Sequence, residues 1–393
     1  QIIVATPGRL LDHLESTFLF SSLVDQASLL VLDECDRLLE LGFQETLRSI
    51  LDYLPEQRRN MLLSATVTQG VQDMCGRVCS PAYRFVDCVE DAEAPTAEQV
   101  DQEVVVVPPL MVLTSLFHVL FEEMQKNQYT HKILVFFPTA RTAAFFSSFF
   151  RKQLRMQVYE MHSRREQRER ETTAARFSHD RCGVMFSSDV SARGMDYPNV
   201  TLVVQVGAPS NLDEYIHRIG RTARAGKGGK GVLILNDAES LFMDRIKDLP
   251  VQRRKDPTLL HQSDLLIRAT TSWTADAQLH WQAASAFASL LTHYKLHKRA
   301  LSISDTEVIQ TANTLLLGCG MLDQPPISRK LAEKLKLEDH PELKVAEDLH
   351  ELQGLEQLHE STLREAGRSA AQAQRLKDQA LAREDLGVDV LRP

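Results

Sequence analysis

The chain has 393 residues, 43% of them hydrophobic, and a formal net charge of −8 at pH 7. This hydrophobic content excludes wholesale disorder, and the acidic balance excludes a generally basic nucleic-acid-binding protein, although not a local basic face. No apolar run reaches the roughly 18 residues that a membrane helix needs, and the six cysteines lack the paired spacing of metal ligands, so we expect reduced thiols in an intracellular protein.

The first part of the chain alternates short apolar runs with helical patterns. The apolar runs predict strands at 2–5, 29–33, 61–65 and 83–87. Between the second and the third of these runs, apolar residues recur at helical spacing from Leu38 to Leu54. This alternation predicts an α/β domain with a parallel sheet over residues 1–88. Because the chain opens inside a predicted strand and without a methionine, we expect this domain to be partial and its natural N-terminus to lie upstream.

An acidic segment separates this domain from a second one. Residues 89–101 contain Pro95 and no periodic core, which predicts a linker. A second α/β domain is predicted over 102–239, with strands at 103–107, 132–137, 157–161, 183–187, 201–206 and 231–235.

From residue 240 onwards the sequence predicts helices and no further strands. Residues 240–345 form this predicted extension, with candidate core residues Trp273, Trp281, Phe287, Leu290, Leu291 and Tyr294. Residues 346–393 are charged and rich in alanine, glutamate and glutamine, which predicts a solvated helix or a disordered tail.

Asp33 and Glu34 directly follow the apolar run that ends at Leu32. Ligands of open α/β sheets sit beyond the carboxyl ends of the strands. One carboxylate there suits a hydrated Mg²⁺, and a second one suits the orientation of a water that attacks a γ-phosphate. The alternative is that these acids only complement the dipole of the following helix, and from this segment alone the two interpretations are about equally good.

Ser64 and Thr66 follow the next apolar run. Their hydroxyl groups could donate hydrogen bonds to the carboxylates at the neighbouring strand end. A helix N-cap or a turn is the alternative, and it is favoured for so short a motif.

Arginines recur every third residue in the segment HRIGRTARAGKGG, residues 217–229. On a helix Arg218, Arg221 and Arg224 share roughly one face. Guanidinium groups bind phosphate oxygens bidentately and stabilise charge in phosphoryl transfer, whereas a solvated basic face is the alternative.

The segment SSDVSARGMDYPNV, residues 187–200, follows a predicted strand. It places Asp189, Arg193, Gly194 and Asp196 in a tight loop, where an aspartate can bind a ribose and the Ser188 hydroxyl can meet an RNA phosphate.

Together these segments resemble the motifs of DEAD-box RNA helicases. The resemblance is carried, in order, by TPGR (6–9), DECD (33–36), SAT (64–66), FFPTARTA (136–143), HSRREQRER (162–170), SSDVSARGMD (187–196) and HRIGRTAR (217–224). It covers residues 1 to about 237 and implies an α/β fold of two RecA-like parallel-sheet domains, the first truncated, followed by a helical C-terminal extension.

The resemblance also implies roles for individual residues, with ATP and Mg²⁺ as cofactors. Asp33 would hold Mg²⁺ through water, Glu34 would be the general base, and Arg221 and Arg224 would reach the γ-phosphate. His217 would bridge the two domains near Ser64 and Thr66, which couple hydrolysis to strand separation, and Gly194 and Asp196 would contact the nucleotide. The residues implied to line the RNA backbone are Thr6, Pro7, Gly8, Arg9, Thr139, Arg170, Ser188, Asp189 and Arg193. The expected partner is structured or duplex RNA, read with little sequence specificity, and no membrane.

The sequence departs from the family by lacking a glycine-rich phosphate loop that ends in Gly-Lys-Thr or Gly-Lys-Ser. Gly226-Lys227 is followed by Gly228 and lies after the arginine motif, so it is not a substitute. We therefore predict that this chain does not hydrolyse ATP appreciably, whereas a full-length protein with the loop would be an RNA-dependent ATPase. The alternative is a non-catalytic RNA-binding protein, or truncated pseudo-helicase. Smaller departures are Cys35 and Ser163, which stand where the family usually has alanine and glycine.

The extension resembles, more weakly, that of mitochondrial intron-splicing DEAD-box helicases. DYPNV (196–200) and residues 316–337 carry this likeness, which implies packing on the second domain and a mitochondrial location, with the nucleus or cytoplasm as alternatives. Two basic clusters, Arg253 to Lys255 and Lys295 to Arg299, offer RNA phosphates a surface, or are solvated helix faces.

Overall fold

The computed structural model describes residues 2–64, 66–87, 100–189, 197–223, 228–255, 261–273 and 276–346. The chain divides into two compact units, Gln1–Ala92 and Glu93–Pro393. Most of the predicted linker and the predicted tail after Ala346 lie outside the described residues, so the domain limits stay a prediction. Within those ranges no helix combines the length and the apolar character that crossing a membrane requires.

The first unit contains a two-stranded parallel sheet, in which β1 (Leu29–Leu32) pairs with β2 (Arg59–Leu62). Its helices are α1 (Pro7–Ser16), α2 (Phe20–Val24), α3 (Cys35–Glu40), α4 (Gln44–Asp52) and α5 (Gln69–Val78). Leu32 packs into a small core with Leu47 and Met74. The alternate residues Leu29, Val31 and Met61 are between 44% and 52% exposed, so the described residues leave the second face of this sheet largely bare.

Two of the strands predicted in this unit are wrong. Residues 2–5 and 83–87 have no regular secondary structure, and the side chains of Ile2 and Val4 are fully exposed. An apolar segment becomes a strand only where a neighbouring strand pairs with its backbone N–H and C=O groups. Neither segment has such a neighbour in the part of the chain that the structure describes.

The second unit is built on a seven-stranded parallel sheet. Its strands are β3 (Val100–Val107), β4 (Lys132–Phe136), β5 (Tyr159–Met161), β6 (Gly183–Ser187), β7 (Leu202–Val206), β8 (Gly229–Asn236) and β9 (Val251–Arg253). The strand order is β5-β6-β4-β7-β8-β3-β9. Every residue of the inner strands β4 and β7 is buried, as expected for parallel strands that are covered on both faces.

The helices that connect these strands are α6 (Val112–Lys126), α7 (Ala140–Gln153), α8 (Gln167–His179) and α9 (Leu212–Ile219). Short 3-10 helices span Pro109–Met111 and Asp237–Arg245.

Strand β9 contradicts the prediction that strands stop at residue 240. It pairs in parallel with β3, with Gln102 opposite Val251 and Val104 opposite Arg253. The backbone of β3 needs hydrogen-bond partners on its outer edge, and the chain after the 3-10 helix Asp237–Arg245 supplies them. Three residues are too few to show a strand pattern in the sequence.

The extension consists of α10 (Asp264–Ser272), α11 (Ala277–Leu301), α12 (Asp305–Gly318) and α13 (Arg329–Leu335). Its apolar side chains form one continuous core with those of the sheet, which makes it part of the second unit. The predicted core residues are buried except Trp281, which is partly buried. Trp281 lies on the face of α11 that contains Ala284 and Ala288, beside the face of Phe287 and Leu291 that packs inward.

Candidate nucleotide and nucleic-acid sites

The turn after β1 presents two carboxylates, as the sequence predicts. Glu34 has a left-handed backbone with φ of 48°, and its amide donates to Asp33 Oδ1 at 3.0 Å. Although Glu34 occupies the N-cap position of α3, its side chain makes no capping hydrogen bond. Glu34 is therefore not a capping residue, while Asp36 in the first turn of α3 still complements the helix dipole. Asp33 is exposed at the strand end, and carboxylate oxygens in such a place fit a hydrated Mg²⁺.

The segment after β2 is joined to this acidic turn through Asp36. Thr66 Oγ1 donates to Asp36 Oδ2 at 3.1 Å, and Asp36 Oδ1 accepts from the amide of Arg37 at 2.9 Å. Ser64 Oγ donates to the carbonyl oxygen of Thr66 at 2.7 Å. The predicted contact between a hydroxyl and a carboxylate therefore exists, but it is made by Asp36, which had been given no role. Asp36 is buried, and only the structure shows this.

The cysteine of the DECD motif is a packing residue. Cys35 is fully buried, and burial raises the pKa of its thiol to about 11. The thiol therefore stays protonated at neutral pH and has no chemistry to contribute at this turn.

The predicted RNA-binding segment Thr6 to Arg9 forms the N-terminus of α1. Thr6 is in the N-cap position, Pro7 begins the helix, and Pro7 is buried. The first-turn N–H groups of a helix have no intrahelical partners, so they suit a phosphate oxygen. Arg9 forms an exposed ion pair with Asp12 at 2.8 Å, an interaction weak enough for another anion to replace.

In the second unit, the ends of β4, β5 and β6 are joined by backbone hydrogen bonds. Phe137 donates to Ser187 at 2.8 Å, and Ser188 donates to Met161 at 3.1 Å. The predicted RNA-binding residues Thr139, Ser188 and Asp189 thus lie at one carboxyl edge of the sheet, where such sheets bind ligands.

Thr139 is already engaged within the protein. Its hydroxyl accepts from the amide of Thr142 at 3.1 Å, which caps α7, and bonds to Ser289 Oγ of α11 at 2.8 Å. Thr139 thus joins the extension to the sheet, and its role in RNA binding stays a prediction.

Arg170 lies in α8, where its Nη2 donates to Gln167. Its Nε is buried and has no hydrogen-bond partner among the described residues. A buried donor of this kind usually has a partner, so its state is compatible with an anionic ligand.

Arg218 is a buried scaffold residue, and it does not share a helical face with Arg221, contrary to the prediction, because α9 ends at Ile219. It is 2% exposed, and its Nη2 lies 2.6 Å from Asp189 Oδ1 and 2.8 Å from Glu214 Oε1. Its guanidinium also lies over the ring of Phe136. Burial opposes the ionisation of Glu214, but the charge of Arg218 and the hydrogen bonds with Asp189 and Ser210 together outweigh it and lower the pKa of Glu214 to about 2.

The predicted arginine helix ends earlier than expected, because α9 stops at Ile219. Arg221 therefore follows the helix and donates through Nε to the carbonyl oxygen of His217 at 3.2 Å. Arg193, Gly194, Asp196 and Arg224 lie outside the described residues.

Two family models match the chain. The model described as DEAD/DEAH box helicase matches residues 1–74, and the model described as helicase conserved C-terminal domain matches residues 114–226. The chain belongs to the DEAD-box RNA helicase family.

Curated DEAD-box relatives match most of the chain. DEAD-box ATP-dependent RNA helicase 26 of Oryza sativa subsp. japonica is 35% identical over 349 residues, which cover 88% of this chain and 63% of the relative. The protein described as ATP-dependent RNA helicase mss116, mitochondrial, of Aspergillus oryzae is 36% identical over 357 residues, which cover 87% and 54%. The chain thus spans only about half to two thirds of these relatives.

A solved DEAD-box structure also resembles this one. The structure of Mss116p bound to ssRNA and AMP-PNP matches with a TM-score of 0.74 and 27% identity, over 88% of this chain and 71% of that one. The match confirms the predicted fold class of RecA-like parallel-sheet domains with an extension.

Proposed function

We propose that this chain carries the RNA-binding and hydrolytic residues of an ATP-dependent RNA helicase or RNA chaperone, which unwinds short duplexes as ATP closes its two domains. The observation that carries the proposal is the acidic turn after β1, where Thr66 and Asp36 connect the segment after β2 to Asp33 and Glu34. The similar structure of Mss116p, a DEAD-box protein, is bound to ssRNA and AMP-PNP.

The residues proposed for the nucleotide are those that the motifs single out. Asp33 would hold Mg²⁺ through water, Glu34 would accept a proton from the attacking water, and Arg221 with Arg224 would contact the γ-phosphate. His217, Ser64 and Thr66 would couple this site to RNA, and Gly194 with Asp196 would contact the nucleotide. Bound Mg²⁺ would neutralise phosphate charge.

The RNA would bind through its phosphates and sugars at the N-terminus of α1 and at the carboxyl edge of the second sheet. Such contacts position a strand without reading its bases, so little sequence preference is expected. The structural relatives include complexes with ssRNA and with an RNA duplex, in agreement with this proposal.

The 393-residue chain itself is proposed to be inactive as an ATPase, because its sequence contains no phosphate loop. This absence favours a second candidate function, RNA binding without catalysis. A mitochondrial location is proposed from the mitochondrial relative and can be tested by imaging the tagged protein in cells.

The test combines RNA binding with ATP turnover on the intact chain. We expect a labelled single-stranded RNA to bind with an affinity that falls steeply as salt rises, and two unrelated sequences to bind within a few-fold of each other. We expect ATP turnover at background with and without RNA. Robust RNA-stimulated turnover would contradict the inactivity, and an absence of RNA binding at low salt would contradict both candidate functions.

A second measurement separates the helicase from the plain RNA binder. The transcript upstream of Gln1 either encodes a strand followed by a Gly-Lys-Thr loop, or it does not. If it does, the longer protein should hydrolyse ATP, and Glu34→Gln in that protein should reduce turnover at least about a hundredfold, because the proposed base is lost.

A further inference from the structure

Arg141 lies at the carboxyl edge and has no partner among the described residues. It is the second residue of α7, directly after the Thr139 cap, and its side chain is partly buried. Among the described residues it makes no side-chain hydrogen bond and no ion pair. A partly buried charge normally has an opposite charge beside it. We therefore expect an arginine that lacks one at this edge to bind an anion.

A second cation, Arg164, is close enough to act electrostatically on Arg141. Arg164 is exposed in the loop between β5 and α8. Burial lowers the pKa of the Arg141 guanidinium, and the positive charge of Arg164 lowers it further. The two like charges repel each other, and within the described part of the chain Arg164 has no carboxylate partner either.

Neighbouring arginines of the same unit do not share this property. Arg151 pairs with Glu160, Arg165 pairs with Glu169 at 3.1 Å, and Arg218 pairs with Asp189 and Glu214. The region therefore has carboxylates to pair with arginines, and Arg141 and Arg164 are placed where no described carboxylate reaches them.

The strand order places these two arginines on either side of the end of β6. Arg141 follows β4, Arg164 follows β5, and β6 lies between those two strands. The end of β6 carries Ser188, whose amide bonds to the end of β5 at 3.1 Å. An anion held by both guanidinium groups would thus lie next to a residue already proposed to contact RNA.

We propose that Arg141 and Arg164 form a clamp that holds one phosphodiester group of bound RNA. The ligand chemistry follows from the donors, because two guanidinium groups supply planar pairs of N–H groups that match phosphate oxygens, and one anionic phosphate relieves their repulsion. The clamp rests on the proposed function and adds two residues of the segments 136–143 and 162–170 to those already proposed to contact RNA.

The test measures RNA affinity by fluorescence anisotropy over a range of salt concentrations, using a labelled single-stranded RNA and the intact chain. The variants are Arg141→Gln, Arg164→Gln and the double variant. The control is Arg181→Gln, which removes an equal charge from an exposed residue just before β6, at the opposite edge of the sheet.

Each clamp variant is expected to bind RNA about tenfold more weakly than the unmodified chain. The slope of log affinity against log salt should fall by about 0.7, the value for one phosphate contact with a single strand. Because both arginines hold the same phosphate, the double variant should bind little more weakly than either single variant. Arg181→Gln should change the affinity about twofold or less, as expected for a distant exposed charge.

Thermal unfolding of the free variants separates this role from a structural one. Arg164→Gln removes a repulsion from the free protein, so its Tm should stay the same or rise while RNA binding weakens. The clamp would be overturned if its variants bound RNA as tightly as the control variant, or if the losses of affinity added up in the double variant. In either case, RNA binding by the unmodified chain would still uphold the proposed function. A failure of the unmodified chain to bind RNA would overturn both.

Discussion

At the scale of single residues, Glu239 is a buried carboxyl group that joins the extension to the sheet of the second unit. It is fully buried, and burial raises its pKa to about 7. Its Oε2 accepts from the amide of Asn236 at 2.9 Å, and its Oε1 lies 3.3 Å from the hydroxyl of Tyr294 in α11. The extension is therefore attached to the end of β8 through a group that changes its charge near neutral pH.

The raised pKa of Glu239 predicts that stability falls as pH rises. The folded chain binds this proton more tightly than the unfolded chain, whose glutamate has the ordinary pKa of 4.5. The stabilisation is complete below pH 4.5, decreases through the interval up to about 7 and is lost above it. The loss is on the order of 3 kcal/mol.

Urea unfolding between pH 5 and pH 8 checks this prediction in the unmodified chain and in Glu239→Gln. The glutamine variant keeps the size of the side chain and cannot titrate, so its stability should change less over this interval. Equal pH dependence in the two proteins would assign the effect to other groups.

The sequence predicted where the acidic residues lie but not how they are connected. Asp33 and Glu34 follow an apolar run, and the carboxyl ends of parallel strands form a common edge, so their location was predictable. The bond from Thr66 to Asp36 depends on the left-handed backbone of Glu34, which directs the chain into α3. No spacing rule reveals that conformation. The burial of Arg218 was equally hidden, because helical periodicity does not distinguish an inward basic face from an outward one.

At the scale of elements, the end of α12 lies close against the 3-10 helix Pro109–Met111, which precedes α6. Gly318 ends α12, and a Cβ atom there would lie 2.1 Å from the carbonyl oxygen of Leu110. Gly320 has φ of 94°, and its Cβ would lie 2.0 Å from the carbonyl oxygen of Thr270. Both obstructing atoms belong to the backbone, so they cannot move aside as a side chain does.

Gly318→Ala is expected to destabilise the second unit by about 3 kcal/mol, because the added methyl group forces two backbone segments apart. Gly228→Ala is the matched control, since a Cβ at Gly228 meets nothing within 4 Å. Chemical denaturation of both variants should show a large loss for the first and a small change for the second. Similar losses of stability in the two variants would show that the backbone around Gly318 can move apart without a large cost.

The elements that the sequence predicted correctly are those with their own hydrophobic period. Strands β4, β6 and β7 are apolar enough to be recognised without their neighbours. Strand β9 and the unpaired segments 2–5 and 83–87 are decided by the presence or absence of an adjacent strand, which is a property of the fold. In the basic cluster at 253–255, Arg254 pairs with Glu122 of α6 at 2.7 Å, a contact between distant parts of the chain, and RNA binding by the cluster stays a prediction.

At the scale of the whole molecule, the two units differ in how much apolar surface they bury. The first has two strands and small cores around Leu32 and Ile50. The second has seven strands and a core that continues into the extension. The free energy of unfolding depends mainly on the apolar area that a unit buries. The two units should therefore unfold independently and with different free energies of unfolding.

Hydrogen exchange followed by mass spectrometry checks this difference. Amides of β1 and β2 are expected to exchange at least about a hundredfold faster than those of β4 and β7, because the first sheet is bare on one face and small. Matched protection in all four strands would mean that the units unfold together.

The ion pair between Arg218 and Asp189 also links two places with different proposed tasks. Asp189 stands on the side proposed for RNA, and Arg218 is followed three positions later by Arg221, which is proposed for ATP. An RNA strand that displaced Asp189 would take a carboxylate from Arg218 and leave its charge held by Glu214 alone. The turn that carries Arg221 would then be free to shift. RNA binding would in this way affect the proposed ATP site through one buried side chain, that of Arg218.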